Sequence, residues 1–308
     1  YQGGFDQSDL AKFGFTSDLA KNAFAFNGYA SAMKAGLEAS DTLSTVSRRY
    51  GFEIQKPENG YGLDWLTRRR ADRLIGITNG VDYEVWNPET DDAIAAPFSS
   101  RNLEGKRRCK QDLLEHFSLP VDLDRPILAN ITRLTAQKGI DLMMQAAGDI
   151  LAAGAYIISL GSGEKQYEEF WQRLRDHAPH RVGIYRGYNE PLAHKIEAGA
   201  DIFMMPSKFE PCGLNQMYSL RYGTVPIVRA VGGLDDTVQN FDAVSGTGNG
   251  FKFGPYSADK FVERIYEAIY LYADTDNWKK IQLNGMAIDN SWENAARKYV
   301  ELYTRTIS

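Results

Sequence analysis

The chain has 308 residues, of which 43% are apolar and 24% charged, and its formal net charge is -5. This length and composition indicate a folded protein with room for two domains. The mild negative charge argues against a nucleic-acid binder, because such a protein needs a basic surface to meet phosphates. The short basic runs at 68–70 and 106–108 have acidic neighbours, so we interpret both as solvated helix faces.

The cysteines and the apolar runs limit the cellular setting. Cys109 and Cys212 lie far apart, which indicates neither a disulfide framework nor a metal cluster and fits a reducing cytoplasm. No apolar run approaches the roughly 18 residues needed to span a bilayer, and no charged-then-apolar leader is evident. We therefore expect a cytoplasmic protein with no membrane and no nucleic-acid partner.

The first part of the chain mixes aromatic residues and glycines. We predict a helix over Tyr29–Ala39 and short strands over Thr42–Val46 and Leu74–Ile77. Asn79 and Gly80 then form a turn signal, because Asn-Gly tolerates positive φ. The polar stretch at 89–102 is predicted to be a connecting loop.

From about residue 105 the sequence alternates short apolar runs with amphipathic segments of helix length. Six runs are predicted to be buried strands: Ile127–Ile131, Tyr156–Leu160, Val182–Tyr185, Ile202–Met205, Val225–Val228 and Phe251–Phe253. Helices are predicted over 106–117, 141–152, 164–177, 214–222, 258–273, 278–287 and 292–303. The alternation predicts an α/β fold whose parallel sheet carries helices on both faces and binds ligands at the carboxyl ends of its strands.

Two loops that follow predicted strands carry residues suited to a charged, hydroxyl-rich ligand. Arg133 and Lys138 precede Gly139 and can converge on a diphosphate, although this spacing alone also suits a surface pair. Glu210 stands between a strand and a helix, where a carboxylate can hold sugar hydroxyls beside free backbone N–H groups. Taken alone, it is more often a solvated loop carboxylate.

The motifs around these residues resemble those of bacterial glycogen synthases and plant starch synthases, in the same order. They are R-L-T-A-Q-K-G at 133–139, E-P-C-G-L-N-Q at 210–216, Y-G-T-V-P-I-V-R at 222–229, G-G-L-D-D-T-V at 232–238 and S-W-E-N-A-A at 291–296. The resemblance implies an α/β fold of the GT-B type, with two facing Rossmann-like domains of which the first is only partly present. It implies the C-terminal part of the first, acceptor-side domain at 1–80, a donor-binding domain at 81–290, and a terminal helix crossing back at 291–308.

The same resemblance implies a glycosyltransferase of glycogen or starch biosynthesis. Such an enzyme transfers glucose from ADP-glucose to the non-reducing end of an α-1,4-glucan with retention, in the cytoplasm or, in a plant, in the plastid. It implies catalytic roles for Glu210, Arg133 and Lys138, and no metal or cofactor, because the two cations would stabilise the leaving diphosphate. The implied substrate-binding residues are Cys212, Gly213, Leu214, Tyr188, Gly161, Gly163, Gly232, Gly233, Thr237 and Asn79.

Some points stay open at the level of sequence. Many proteins of this fold carry a second glutamate eight residues after the first, where this chain has Tyr218, as the glycogen synthase branch usually does. A nucleophilic role for Cys212 is disfavoured, because no histidine lies in a partner motif. The alternative functions are a retaining transferase for another nucleotide sugar and a non-catalytic fragment that binds nucleotide or glucan.

The beginning of the chain also bears on function. Tyr1-Gln2-Gly3 resembles the tail of a family motif whose histidine lies further upstream. We therefore expect a longer protein, and we expect this chain to bind ADP without elongating glucan.

Overall fold

The computed structural model describes residues 2–307, which form two compact units. One unit takes in the residues up to Thr78 and those from Arg297 onward, and the other runs from Asn79 to Ala296. The predicted boundaries, after residue 80 and before residue 291, differ from these by a few residues. Tyr1, the first residue of the motif match at the beginning of the chain, lies outside the described residues.

The first unit is built from short elements. Its strands are β1 (Gly4–Phe5), β2 (Ala25–Phe26), β3 (Tyr29–Ser31), β4 (Leu43–Thr45) and β5 (Leu74–Gly76). Its helices are α1 (Asp18–Phe24), α2 (Ala32–Ala39), α3 (Arg48–Glu53), α4 (Pro57–Gly60) and α5 (Asp64–Arg69), with 3-10 turns over Gln7–Phe13 and Ala71–Arg73. The order β1-β3-β2 makes an antiparallel sheet, and β4 pairs with β5 in parallel.

Two predictions in this unit were wrong. Residues 29–31 form a strand between β1 and β2, and the helix begins only after Ser31, whose hydroxyl accepts the N–H of Lys34 as an N-cap. Arg70 does not lie on a solvated face: its guanidinium donates to the carbonyls of Leu37 and Glu38 at 2.8 and 2.7 Å. These carbonyls belong to the last turn of α2, where a cation satisfies otherwise unpaired acceptors.

The second unit alternates strands and helices. Its strands are β6 (Ile127–Ile131), β7 (Tyr156–Gly161), β8 (Val182–Arg186), β9 (Ile202–Met205), β10 (Val225–Arg229) and β11 (Phe251–Phe253). Its helices are α6 (Glu104–His116), α7 (Ile140–Ala152), α8 (Lys165–His177), α9 (Glu190–Gly199), α10 (Asn215–Arg221), α11 (Gly232–Thr237), α12 (Ala258–Tyr272) and α13 (Thr275–Met286), with a 3-10 turn over Ala136–Lys138. The last helix, α14 (Trp292–Ile307), begins in this unit and ends among residues of the first.

The six predicted strands of this unit are confirmed, and together they form one parallel sheet in the order β11-β10-β9-β6-β7-β8. The chain runs outward from β6 through β7 to β8, then returns to place β9 on the other side of β6. The direction of winding therefore reverses between β6 and β9. In open parallel sheets, the crevice for a ligand lies at the carboxyl ends of the strands on either side of such a reversal.

Apolar packing on both faces of this sheet holds the unit together. Strand residues from Ile127 to Ala129 and from Ile202 to Met204 are at most 1% exposed, as expected for strands covered on both faces. Lys106 corrects a further prediction, because it is 6% exposed and not on a solvated face. Its ammonium donates to the carbonyls of Ala198 and Tyr222 and to the hydroxyl of Thr224. No helix in the described range is long and apolar enough to cross a bilayer.

Candidate functional site

A cleft opens where the sheet of the second unit reverses its winding. It lies between the loop that follows β6 and the loop that follows β9, and its volume is about 210 Å³. We call it the central cleft. The residues that line it are Ile131, Thr132, Arg133, Lys138, Met143, Met204, Met205, Ser207, Glu210, Gly213, Leu214 and Asn215. The structure thus brings together Arg133, Lys138, Glu210, Gly213 and Leu214 from the predicted site.

The central ion pair of this cleft joins two residues to which the sequence assigns separate roles. Lys138 Nζ lies 2.5 Å from Glu210 Oε2, and the two side chains are 18% and 9% exposed. Ser207 Oγ donates to the same carboxylate oxygen at 3.2 Å. The lysine that the sequence assigns to a diphosphate and the carboxylate that it assigns to sugar hydroxyls are therefore paired with each other when no ligand is bound.

Backbone contacts hold the two loops against each other. The N–H of Lys208 donates to the carbonyl of Gln137 at 2.8 Å, and the Gln137 side chain donates to the carbonyl of Phe209 at 3.2 Å. Gly139 has φ +73°, and a Cβ built there would lie 2.2 Å from the carbonyl oxygen of Pro206. Any larger residue at 139 would push the loops apart, so this glycine sets the distance between Lys138 and Glu210.

Two side chains outside these loops also connect them: Arg229 at the end of β10 and Tyr256 after β11. We call this pair the brace of the central cleft. Arg229 donates to the carbonyl of Lys208 at 2.8 Å, and its guanidinium lies 5.4 Å from the ring centre of Tyr256. The Tyr256 hydroxyl donates to Asp141 Oδ1 at 2.5 Å, in the first turn of α7. One tyrosine thus connects the loop of Glu210, through Arg229, with the helix that follows Lys138.

Arg133 differs from Lys138 in its surroundings. Its side chain is exposed at the cleft, and no carboxylate in residues 2–307 forms an ion pair with it. On the opposite wall, Gly213 and Leu214 precede α10, and their backbone N–H groups donate to no acceptor in the described chain. The cleft therefore offers one unpaired cation and two free N–H groups, a set that suits an anion or an oxygen-rich ligand.

Cys212 lies next to the cleft wall and is only 7% exposed. Its Sγ accepts the backbone N–H of Asn79, and burial raises the pKa of the thiol to about 11. A thiol with such a pKa stays protonated near neutral pH and is a poor nucleophile. The contact also accounts for Asn79, whose backbone meets the cysteine although its side chain does not line the cleft.

The glycines predicted to approach a ligand instead approach other parts of the chain. A Cβ at Gly161 would lie 1.9 Å from the carbonyl oxygen of Thr132, and one at Gly163 would lie 2.3 Å from that of Leu134. At Gly232 and Gly233 the obstacles are the carbonyl oxygens of Glu210 and Cys212, at 1.9 and 2.0 Å. Close packing between neighbouring loops is sufficient reason for glycine at all four positions.

Gly233 and Thr237, two of the implied substrate-binding residues, already donate to acceptors in the chain. The N–H of Gly233 donates to the carbonyls of Glu210 and Pro211, at 3.2 and 3.0 Å. The hydroxyl of Thr237 donates to the carbonyl of Gly233 at 2.6 Å. A ligand contact at either donor would have to replace an internal bond, which sequence reasoning did not reveal.

The two tyrosines near the cleft have different environments. Tyr188 follows β8 and is 81% exposed, outside the lining of the cleft, so its role in substrate binding stays a prediction. Tyr218 is half-buried and stacks on Trp86 with ring centres 4.0 Å apart. Trp86 stacks in turn on His194 at 3.8 Å, and His194 bonds Asp91 at 2.7 Å. Packing against this stack explains an aromatic residue at 218.

Sequence reasoning missed the residues that hold the site in shape, namely Ser207, Gln137, Asn215, Arg229 and Tyr256. Ser207 and Asn215 lie inside or beside quoted motifs, so their position was a usable signal. Gln137 and Arg229 also lie inside quoted motifs, whereas Tyr256 acts across 115 residues of sequence and nothing local marks it. As for metals, residues 2–307 contain no group of three or more His, Cys, Asp or Glu side chains arranged to hold an ion.

Family comparisons cover both parts of the chain. The family described as "Glycosyl transferases group 1" matches residues 112–282, and that described as "Starch synthase catalytic domain" matches residues 1–69. A glycogen synthase from Koribacter versatilis is 46% identical over 306 residues, which are 99% of this chain and 63% of that protein. A glycogen synthase from Kosmotoga olearia is 43% identical over 309 residues, covering 100% of this chain and 65% of that protein.

Solved structures agree with the fold. The catalytic domain of starch synthase IV from Arabidopsis thaliana, bound to ADP and acarbose, matches with a TM-score of 0.91 and 33% identity. That match covers 100% of this chain and 65% of the other. A sucrose-phosphate synthase from Thermosynechococcus elongatus, at 19% identity and a TM-score of 0.62, shows the fold alone. The chain thus has the GT-B fold and spans less than two thirds of the length of these relatives.

Proposed function

The chain belongs to the glycogen synthase and starch synthase family of group 1 glycosyltransferases, and from that premise we propose that the protein transfers glucose from ADP-glucose to the non-reducing end of an α-1,4-glucan with retention. The observation that carries the proposal is the central cleft, in which Arg133 and Lys138 face Glu210 across the reversal of the sheet. The Arabidopsis starch synthase IV domain binds ADP and acarbose, which supports a nucleotide and a glucan-like ligand for this protein as well. A cytoplasmic location is part of the proposal.

The proposed roles follow from charge. Transfer breaks the bond between glucose and the diphosphate, and negative charge builds up on the departing oxygen. Arg133 and Lys138 are the cations that line the cleft in the described part of the chain, so we assign them to this charge. Glu210, together with the N–H groups of Gly213 and Leu214, is assigned to the sugar hydroxyls.

The ion pair between Lys138 and Glu210 adds a step to this scheme. A diphosphate that enters the cleft competes with Glu210 for the lysine, and the sugar hydroxyls supply Glu210 with new hydrogen-bond donors. Each charged group therefore exchanges one charged partner for part of the same ligand. Inorganic diphosphate would also take the lysine, but it has no sugar hydroxyls to replace the lysine as a donor to Glu210. We infer that the pair favours intact nucleotide sugar over its fragments.

The proposal is tested by measuring glucose incorporation into glycogen with the complete gene product and labelled ADP-glucose or UDP-glucose. We expect incorporation from ADP-glucose, and a loss of at least about a hundredfold in turnover for Glu210→Ala, which corresponds to roughly 2.7 kcal/mol. The matched control is Glu169→Ala, an exposed carboxylate on α8 outside the cleft. Incorporation only from UDP-glucose would favour a transferase with another donor, and near-normal turnover of Glu210→Ala would refute its role.

The 308-residue chain by itself provides a second test. The residues proposed to contact the diphosphate all lie in the second unit, so isothermal titration should detect ADP binding by this chain. We propose that it nonetheless elongates no glucan. Robust elongation by this chain would overturn that part of the proposal, and failure to bind ADP would overturn the assignment of the central cleft.

A further inference from the structure

A second cleft opens at the opposite, amino-terminal edge of the same sheet. It lies between α6 and the corner where α12 meets α13, and its volume is about 610 Å³ against about 210 Å³ for the central cleft. Pro126 and Asp201, which precede β6 and β9, form its floor. We call it the amino-edge cleft. Its volume falls in the range typical of small-molecule sites, and none of the motifs described above assigns it a role.

Most of the wall of this cleft is apolar, and one wall residue has an unused donor. Leu103, Leu123 and Ile269 line it together with the indole of Trp278. Trp278 is 5% exposed, and its Nε1–H is buried without an acceptor among the described residues. A buried N–H group without a partner costs about 1–3 kcal/mol. The donor itself has almost no accessible surface, so a ligand on this wall would contact the apolar face of the indole and not its N–H.

The charges of the cleft leave a positive excess. Lys106, Arg107 and Lys110 line it, against the carboxylates of Asp124 and Asp201. Lys110 is matched, because its ammonium donates to Asp201 Oδ2 and to the hydroxyl of Tyr272, both at 2.7 Å. Lys106 donates only to uncharged oxygens, and burial lowers the pKa of its ammonium to about 8. The cleft as a whole therefore carries one positive charge more than its carboxylates balance.

Arg107 is the cation that can reach a ligand. Its side chain is 62% exposed at the mouth of the cleft, and it pairs with Asp124 at 3.4 Å, whose own side chain is 89% exposed. An exposed pair of this kind contributes little to stability, so the arginine can exchange Asp124 for another anion at small cost. Its planar guanidinium matches the oxygens of a carboxylate, sulfonate or phosphate ester.

We propose that the amino-edge cleft is a binding site for a small organic anion with a flat apolar body and a single negative charge. The body lies on the wall formed by Leu103, Leu123, Ile269 and Trp278, and the charged group meets Arg107 at the mouth. One negative charge matches the excess on the wall, whereas a nucleoside diphosphate would bring more charge than the cleft can balance. The site is independent of the function proposed for the central cleft.

Two fluorescent probes of the same shape test the proposal. 8-Anilinonaphthalene-1-sulfonate carries one negative charge, and N-phenyl-1-naphthylamine has a similar aromatic body without it. We expect the anion to bind the 308-residue chain saturably, one molecule per chain, and at least about tenfold more tightly than the neutral probe. Saturating ADP should not displace it. Displacement by ADP would place the probe in the central cleft, and equal affinities of the two probes would show that charge does not contribute to binding. Either result overturns the proposal.

Exposed positions allow variants that leave the fold unchanged. Arg107→Gln should weaken the anionic probe by about tenfold and leave the neutral probe unchanged, because only the charge contact is lost. The matched control is Arg108→Gln, the next exposed arginine on α6, which does not line the cleft. Ala273→Trp, at the exposed end of α12, should fill the cleft and weaken both probes. Unchanged binding of both probes to Ala273→Trp would overturn the proposal.

Discussion

Two lysine–carboxylate pairs lie at opposite edges of one parallel sheet, and they differ in what surrounds them. At the carboxyl edge Lys138 meets Glu210 at 2.5 Å, and at the amino edge Lys110 meets Asp201 at 2.7 Å. All four side chains are largely buried. The Asp201 carboxylate also accepts the backbone N–H of Ile127 at 2.8 Å, whereas the Glu210 carboxylate accepts only from the side chains of Lys138 and Ser207 within residues 2–307.

The difference shows how one type of ion pair can stabilise the fold in one place and take part in ligand binding in another. Asp201 holds the starts of the two central strands together, because its backbone also bonds Ile127 and Val225. Replacing any of its partners with a ligand would open the sheet. Glu210 lies on a loop in a cleft, and its cation can leave without disturbing a strand. We conclude that backbone contacts around a pair decide whether its members are free to exchange partners.

The largest effect is expected from Asp201→Ala. The change leaves Lys110 buried without its anion, so the free energy of unfolding should fall by about 3–5 kcal/mol. Urea denaturation followed by circular dichroism measures it. Glu210→Ala should cost about 1 kcal/mol or less, because water can enter the central cleft to solvate Lys138. Asp124→Ala, at the exposed mouth of the other cleft, is the control and should change little. Equal losses for Asp201→Ala and Glu210→Ala would erase the distinction between the two pairs.

The next effect concerns binding at the carboxyl edge. Lys138→Ala and Arg133→Ala should each weaken ADP binding by about tenfold or more, because a hydrogen bond to a charged group contributes about 1.5–3 kcal/mol. Titration calorimetry on the 308-residue chain measures it. Lys260→Ala removes an exposed lysine of α12 that does not line the central cleft, so this control should bind ADP normally. Unchanged affinity in both cleft variants would contradict the assignment.

Glu197 sharpens the comparison, because it is a buried acid to which no cation within residues 2–307 is hydrogen-bonded. Its Oε2 accepts the Ser219 hydroxyl at 2.8 Å, its Oε1 has no partner among the described residues, and burial raises its pKa to about 8. Between the ordinary value of 4.5 and about 8 the native carboxyl holds a proton that the unfolded one has lost. Stability should therefore fall as pH rises through this window.

Glu197→Gln removes that titration. The unfolding free energy of the original chain should fall relative to the variant by up to about 1.4 kcal/mol per pH unit between the two values, and the difference should be constant below them. Urea titrations at a series of pH values measure it, and the other titrating groups cancel in the difference. Curves that stay parallel across the window would show that Glu197 is ionised in the native chain.

The smallest effect is expected at the brace of the central cleft. Tyr256→Phe removes the bond to Asp141 but keeps the ring beside Arg229, so ADP binding should weaken by no more than about threefold, because the lost bond lies outside the cleft lining and only part of its free energy reaches the ligand. Tyr256→Ala, which loses both contacts, should weaken it further. Tyr270→Phe, at a tyrosine 79% exposed, is the control. Equal affinity in Tyr256→Ala and the original chain would show that the brace does not position the loops.

Much of the fold and the centre of the site could be predicted. The six strands of the second unit each form a short apolar run, and such runs are visible because a strand covered on both faces admits few polar residues. Arg133, Lys138 and Glu210 could be assigned to one cleft because loops after parallel strands meet at one edge of the sheet. In the first unit, Tyr29–Ser31 was mistaken for helix because strand pairing with distant residues overrode a weak local pattern.

The amino-acid sequence by itself determined the family, the alternation of strands and helices, and the identity of the charged residues after β6 and β9, because these are carried by local order along the chain. Only the tertiary structure decided that Lys138 pairs with Glu210, that Gly161 and Gly232 pack against neighbouring carbonyls, and that Lys106 is buried. These facts depend on the distance between segments far apart in sequence. Folding sets that distance through the packing of the whole unit, which no single motif encodes.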